Sequence, residues 1–101
     1  MYKIETYLPP EALDQIRDAV GPYSVVGSDK YSHCMSWYKT QSMWKPAVDA
    51  NPYLGTPGEL QYADEVVLTL RCREEDLDKV VELIRENHPY EEPAIDVVKL
   101  L

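Results

Sequence analysis

Hydrophobic and polar residues alternate with a period of two in two stretches of the chain, Tyr2 to Leu8 and Glu65 to Cys72. This period is typical of strands that bury one face. The second stretch is rich in β-branched residues, which favours an interior position in a sheet. The buried faces that the pattern predicts carry Tyr2, Ile4 and Leu8 in the first strand, and Val66, Leu68, Leu70 and Cys72 in the second.

A helical pattern follows each of these strands. Pro9-Pro10 stops the first strand, and a helix is predicted from Pro10 or Glu11 until Gly21-Pro22 ends it. The second helix is predicted from Glu74 or Glu75 to about His88. The apolar stripes of the two helices are Leu13, Ile16 and Val20, and then Leu77, Val80, Val81 and Ile84.

The two predicted strand–helix pairs look like copies of one unit. The helical openings Glu11-Ala12-Leu13-Asp14 and Glu75-Asp76-Leu77-Asp78 share three of four residues, and the apolar run Ala94 to Leu101 predicts a last strand. Two such units give a ferredoxin-like α+β fold, with a four-stranded antiparallel sheet and two helices on one face. We expect residues 1–101 to form a single domain.

The middle of the chain lies between the two units. Tyr31 to Pro46 has aromatic residues near both ends and a polar centre at Lys39-Thr40-Gln41, which predicts an inserted hairpin. Asn51 to Gly58, with two prolines and two glycines, predicts an ordered, turn-rich loop.

Composition limits the partners and the compartment. The net charge of −8 argues against nucleic acid, and no apolar run is long enough to span a bilayer. The start of the chain does not have the pattern of a secretory signal, so the predicted location is the cytoplasm. Cys34 and Cys72 lack CxxC spacing, which favours two free thiols.

The run His88-Pro89-Tyr90-Glu91-Glu92-Pro93 has two interpretations. In the structural one, Pro89 ends the second helix near His88, and a histidine suits the negative end of the helix dipole. In the functional one, the imidazole, the phenol of Tyr90 and the carboxylates of Glu91 and Glu92 hold a cation or small ligand.

A second candidate is the pair His33-Cys34, because imidazole and thiolate are ligands for zinc and copper. Adjacent strand residues point to opposite faces, so the pair needs a bulge or a turn to share one ion. The candidate metal ligands are His33, Cys34 and His88. If the hairpin brought His33 near His88, a two-histidine site with Glu91 or Glu92 would be expected. The alternative is one buried thiol and one hydrogen-bonded histidine.

The sequence carries no catalytic motif, such as a glycine-rich phosphate loop, GxSxG or HExxH, so we expect no enzyme. Aromatic residues outside the helix stripes predict a subunit contact on the face of the sheet that no helix covers. The alternative is that these rings cover a small core within the monomer. The residues are Trp37, Tyr38, Trp44, Tyr53 and Tyr62.

With HPYEEP followed by Ala94-Ile95-Asp96-Val97, the chain resembles the CutA-like, PII-like domain of YqfO-type (NGG1p-interacting-factor-like) dimetal-binding proteins. The similarity extends to the opening YKIETYLP, to His33-Cys34 after Tyr31, and to the segments 50–55 and 66–88. CutA proteins, which are more distantly similar, carry a related HPYE phrase before their last strand.

The resemblance implies a ferredoxin-like sheet and a homo-oligomer, with a trimer favoured over a dimer. It also implies a non-enzymatic role in binding or sensing a divalent cation or small ligand, since the metal-binding parts of YqfO-type proteins lie in other domains. Ser32 stands where the family commonly has an acid, which removes one carboxylate beside His33. The alternative function is a structural or protein-interaction module without a ligand.

Overall fold

The computed structural model describes residues 1–101 and contains four strands and two helices. The strands form one antiparallel sheet in the order β2-β3-β1-β4, which confirms the predicted ferredoxin-like α+β fold. In chain order the elements are β1 (Tyr2–Leu8), α1 (Leu13–Val20), β2 (Met35–Trp44), β3 (Gln61–Cys72), α2 (Leu77–Asn87) and β4 (Ile95–Lys99).

The hydrophobic core lies between the two helices and one face of the sheet. Alternate residues of β1 and β3 point into it, as the period of two predicted, and both helices contribute one stripe each. Neither helix is long and apolar enough to cross a membrane. The eleven buried members of the core are Ile4, Leu8, Ala12, Ile16, Val20, Val66, Leu68, Leu70, Cys72, Val80 and Ile84.

The element ends follow from local chemistry. Both helices begin with a 3-10 turn, Pro10–Ala12 before α1 and Glu74–Asp76 before α2, so each helical segment starts where it was predicted. The segment Gly21–Tyr23 closes α1 as a third 3-10 turn. The last strand is shorter than predicted, because only Ile95–Lys99 pair with β1.

The predicted hairpin at Tyr31 to Pro46 is wrong. Met35–Trp44 form one continuous strand, and Thr40, at the predicted turn, pairs with Glu65 in the middle of the β2–β3 ladder. The stretch from Met35 to Trp44 contains no Gly, Pro, Asn or Asp to favour a turn, and an edge strand tolerates polar residues because its side chains stay exposed.

The turn between β2 and β3 is instead formed by residues 45–60, which contain no regular element. The turn-rich loop predicted at Asn51 to Gly58 is therefore confirmed. Gly55 and Gly58 have φ angles of 113° and 84°, a region that residues with a Cβ rarely adopt, so the glycines allow this path.

The second face of the sheet carries no helix. The strand registers place Tyr7, Tyr38 and Val67 on this open face, with Val98 at its edge. Val67 is fully buried, whereas Tyr38 and Val98 are exposed by 55% and 56%. The open face thus combines a covered centre with exposed apolar groups.

Candidate functional site

The residues after α2 turn back onto the open face of the sheet. Because Pro89 disfavours helical geometry in the preceding residue, His88 is extended, with φ −86° and ψ 128°, and α2 ends at Asn87. The predicted helix exit at Pro89 is confirmed.

His88 is buried and hydrogen-bonded through both ring nitrogens. Its Nε2 lies 2.8 Å from the carbonyl oxygen of Tyr7, and its Nδ1 lies 3.3 Å from the backbone nitrogen of Tyr90. A carbonyl only accepts and a backbone N–H only donates, so Nε2 carries the proton and Nδ1 accepts. Burial lowers the pKa of His88, against the opposing effects of the Tyr7 carbonyl and the Glu65 charge. The neutral ring therefore ties the turn to β1.

Tyr90 lies at the centre of an aromatic cluster. Its ring centroid is 5.8 Å from that of Trp44, 5.9 Å from that of Tyr53 and 4.9 Å from that of His88. Its hydroxyl donates a hydrogen bond of 2.8 Å to Oε2 of Glu65. Burial and this bond raise the pKa of Tyr90, so the phenol stays protonated as a donor.

A cleft of about 540 Å³ opens beside this cluster. The strand positions of the open face form its floor, and the 45–60 loop and the 88–94 turn form its walls. Its lining includes Tyr7, Trp44, Tyr53, Glu65 and Tyr90, together with the charged residues Lys45, Glu91 and Glu92.

Three hydrogen bonds hold the 45–60 loop against its surroundings. The carboxylate of Glu91 accepts a bond of 3.0 Å from the backbone nitrogen of Asn51, which joins the loop to the turn. Trp44 Nε1 donates to the carbonyl of Leu54 at 3.3 Å, and the hydroxyl of Tyr53 donates to Glu11 at 3.1 Å. The predicted ligand residues Tyr90, Glu91 and Glu92 therefore line one cleft with a defined wall.

His33 and Cys34 lie elsewhere. The backbone nitrogen of His33 donates to the Gly21 carbonyl at 3.0 Å, and that of Cys34 donates to Ser24 at 3.1 Å. His33 has a φ of 58°, and its Nδ1 lies 2.8 Å from the hydroxyl of Ser32. The Cys34 thiol is 3.6 Å from the Ser32 carbonyl, and both cysteines of the chain are free thiols.

Residues 24–34, which include His33 and Cys34, lie at the other end of the sheet from His88. Val25 donates to the Arg71 carbonyl, and Arg71 pairs with Lys3, whereas His88 contacts Tyr7. Lys3 and Tyr7 are four strand residues apart, which is about 13 Å.

The predicted metal set of His33, Cys34 and His88 is therefore not brought together within one chain. The hairpin that would have brought the histidines together does not form, and both nitrogens of His88 have protein partners. No group of three His, Cys, Asp or Glu side chains lies close enough to hold a metal ion. The donor set of the single chain does not fit a divalent cation.

Sequence reasoning missed Glu65 and Tyr7. Both occupy the polar side of an alternating strand, which the pattern predicts to face solvent, but the 88–94 turn folds over this end of the open face and leaves Glu65 only 4% exposed. The sequence predicts Trp44 and Tyr53 at a subunit contact, and in the structure of the single chain both line the cleft. The alternation itself gives no signal for this burial.

The order of the elements and the sheet topology define the chain as a ferredoxin-like α+β domain. Residues 55–101 match the family model described as CutA1 divalent ion tolerance protein. Over 99% of its length the chain is 33% identical to a GTP cyclohydrolase 1 type 2 homolog of Halalkalibacterium halodurans. Over 98% it is 28% identical to the homolog of the same name in Staphylococcus epidermidis. The chain spans 27% of the length of each relative.

Solved structures show the same fold. A Bacillus cereus protein related to NIF3 superposes with a TM-score of 0.81 at 26% identity, over 98% of this chain and 25% of that one. The periplasmic divalent cation tolerance protein CutA of Archaeoglobus fulgidus gives 0.70 at 16%, over 99% of this chain and 84% of that one. The PII-like protein CutA of Nostoc gives 0.64 at 22%, over 99% and 81%. The resemblance that HPYEEP predicted is confirmed.

Proposed function

We propose that the chain is a single, non-enzymatic, self-associating domain that binds a small ligand in the cleft between the 45–60 loop and the 88–94 turn. The observation that carries this proposal is the position of Tyr90, Glu91 and Glu92 around one cleft with the buried Glu65. A volume of about 540 Å³ lies within the range of small-molecule sites, which run from roughly 300 to 1,000 Å³.

His88 and Tyr90 are the ring side chains at the cleft that could transfer a proton, and both are hydrogen-bonded within the protein, which supports a non-enzymatic function. His88 bonds to Tyr7 and Tyr90, and the Tyr90 hydroxyl bonds to Glu65, so neither group is poised to exchange a proton with a bound molecule. The activity named for the relatives belongs to longer chains, of which this one covers 27%.

A divalent cation such as zinc or copper is the alternative ligand. The matched family model and the CutA protein of Archaeoglobus fulgidus are named for divalent ion tolerance and divalent cation tolerance, respectively. The side chains of one protomer favour the small ligand, since they offer no cluster of three metal-binding groups. A cation site of this kind needs donors from more than one protomer.

Isothermal titration calorimetry with zinc chloride, copper chloride, nucleotides and a panel of small metabolites tests the proposal. Glu92→Gln changes an exposed carboxylate of the cleft, and Glu82→Gln changes an exposed carboxylate on α2 outside it. We expect a ligand whose affinity falls at least about tenfold in the first variant and stays unchanged in the second. Equal affinities in both variants, or no heat with any compound, would leave the ligand-free structural module as the better function.

Self-association is supported by the open face of the sheet, where Tyr38 is 55% exposed and Val98 56%. A trimer is favoured and a dimer is the alternative. Sedimentation velocity should give a mass of about three times 11.6 kDa. Tyr38→Glu should lower this mass, and Tyr31→Glu, at a 73% exposed position in the 24–34 segment, should not. A wild-type protein that sediments only at 11.6 kDa would refute the assembly.

The proposed location is the cytoplasm. Support comes from the two free thiols, Cys34 and Cys72, which suit a reducing compartment. Measuring the thiol oxidation state of the protein after rapid alkylation in cells tests this location, and a protein recovered with oxidised cysteines would contradict it.

A further inference from the structure

Glu65 carries a buried carboxylate without a positive partner. Glu65 lies in the interior strand β3 and is only 4% exposed. No Lys, Arg or His nitrogen lies within 4.0 Å of its carboxylate. Oε2 accepts the hydrogen bond of 2.8 Å from Tyr90, and no protein group donates to Oε1.

The free oxygen of Glu65 faces the cleft. Every fully buried side-chain nitrogen or oxygen in the structure has a hydrogen-bond partner, so an unpartnered Oε1 keeps an accessible side, and Glu65 is one of the cleft-lining residues. Burying a carboxylate without a counter-charge is unfavourable. The position therefore suits a ligand that brings a positive charge and an N–H donor.

The rest of the cleft favours the same chemistry. Trp44, Tyr53 and Tyr90 are among its lining residues, and the negative faces of aromatic rings attract cations. Its charged lining residues are three carboxylates, those of Glu65, Glu91 and Glu92, against the single ammonium of Lys45. An anionic ligand would meet net repulsion there.

We propose that the ligand of this cleft is a small organic cation with a flat N–H-bearing group, such as an amidinium or guanidinium, that donates to Glu65 and stacks on the aromatic wall. A planar group with paired N–H donors matches a carboxylate and also lies flat on aromatic rings. This inference rests on the proposed binding function and specifies the ligand class for the same site.

Benzamidine is the probe, with neutral benzamide and anionic benzoate as isosteres of the same shape. The chain has two tryptophans, and Trp37 lies on the helix side of β2 beneath Arg17, so Trp37→Phe leaves Trp44 as a fluorescent reporter in the cleft. In this background we expect benzamidine to change the tryptophan emission in a saturable way, at least about tenfold more tightly than benzamide or benzoate.

Glu65→Gln keeps the shape of the side chain and removes its charge, and it should weaken benzamidine at least about tenfold, whereas Glu82→Gln on α2 should not. Equal binding of the three probes, or unchanged affinity in Glu65→Gln, overturns the inference. If Glu65→Gln fails to fold, the comparison of the three probes on Trp37→Phe still decides.

Different outcomes would exclude the cationic ligand class and the binding function of the cleft. If benzoate, benzamide or zinc binds the cleft better than benzamidine, the binding function stands and the cationic ligand class is wrong. If benzamidine, its isosteres and the calorimetric panel all fail to bind, both proposals are wrong.

Discussion

The hydroxyl of Tyr90 donates a hydrogen bond of 2.8 Å to the buried carboxylate of Glu65, and this bond joins the turn after α2 to the interior strand β3. The same turn is joined to β1 through His88 and the carbonyl of Tyr7. Glu91 adds a third link by accepting from Asn51 in the 45–60 loop. The cleft walls are thus held by hydrogen bonds to three different segments.

Removing the Tyr90 hydroxyl should destabilise the protein. In Tyr90→Phe the Glu65 carboxylate loses its only protein donor while it stays buried, which should lower the free energy of unfolding by about 1–3 kcal/mol in urea titrations. Tyr53→Phe is the matched control, because its hydroxyl bonds to Glu11 at an exposed position and should cost less than about 0.5 kcal/mol. Equal losses of unfolding free energy in the two variants would contradict the larger contribution expected of the buried hydrogen bond.

Stability should fall as the pH falls below about 6.5, because the pKa of His88 is lowered in the folded state. Between the folded and unfolded pKa values the unfolded chain binds the proton and the folded chain does not. The contribution is therefore complete above about pH 6.5 and is lost towards the folded pKa. Urea midpoints at about pH 7.5 and about pH 5.5 measure the slope.

The His88→Gln variant should flatten this pH dependence, since the amide keeps an N–H donor for Tyr7 but does not titrate. His33→Asn should retain the slope, because His33 is exposed and asparagine tolerates its φ of 58°. If both variants retain the slope, carboxylates rather than His88 determine it.

Gly21 should accept alanine at lower cost when the ring of His33 is absent. A Cβ at Gly21 would lie 2.2 Å from His33 Cδ2 and 2.7 Å from Nε2, although the backbone of Gly21 is helical. Gly21→Ala should therefore force the exposed His33 ring to rotate away, at a cost of about 1 kcal/mol. In a His33→Gly background the same change should cost little, because the clash is removed.

Urea titrations of the four combinations of Gly21→Ala and His33→Gly measure this coupling. We expect an interaction free energy of about 1 kcal/mol. Gly27→Ala is the control, because a Cβ there meets nothing within 4 Å, and it should stay within about 0.5 kcal/mol of wild type. Additive effects at positions 21 and 33 would contradict the contact.

Leu68→Ala should be among the more destabilising core substitutions. Leu68 is fully buried in the interior strand β3, and the cavity left behind should cost about 2–5 kcal/mol in the free energy of unfolding. Leu60→Ala removes the same atoms at a 55% exposed position and should change stability by less than about 0.5 kcal/mol. A cost below about 1 kcal/mol at Leu68 would contradict its place in the core.

Most of the fold could be predicted because its signals are local. The alternation in Tyr2–Leu8 and the stripe in Leu77–Asn87 each reflect burial of one side of a regular element. The sequence does not indicate the strand Met35–Trp44, because an edge strand with exposed side chains lacks that burial signal. Pairing with β3 along its whole length holds this segment in a strand that its own residues do not indicate.

The candidate site was predicted only in part. Tyr90, Glu91 and Glu92 were found because two prolines mark the turn that presents them. Whether His33 lies near His88 depends on which ends of which strands meet, and the sheet register places them at opposite ends.

By itself the sequence determined the two strand–helix units, the helix exit at Pro89 and the acidic, aromatic character of the cleft residues, because periodicity, proline geometry and side-chain chemistry are properties of short segments. Only the tertiary structure decided that Glu65 is buried beneath Tyr90, that His88 has no free nitrogen, and that His33 stands apart. Burial and proximity depend on contacts between residues distant in the chain, and no local pattern contains them.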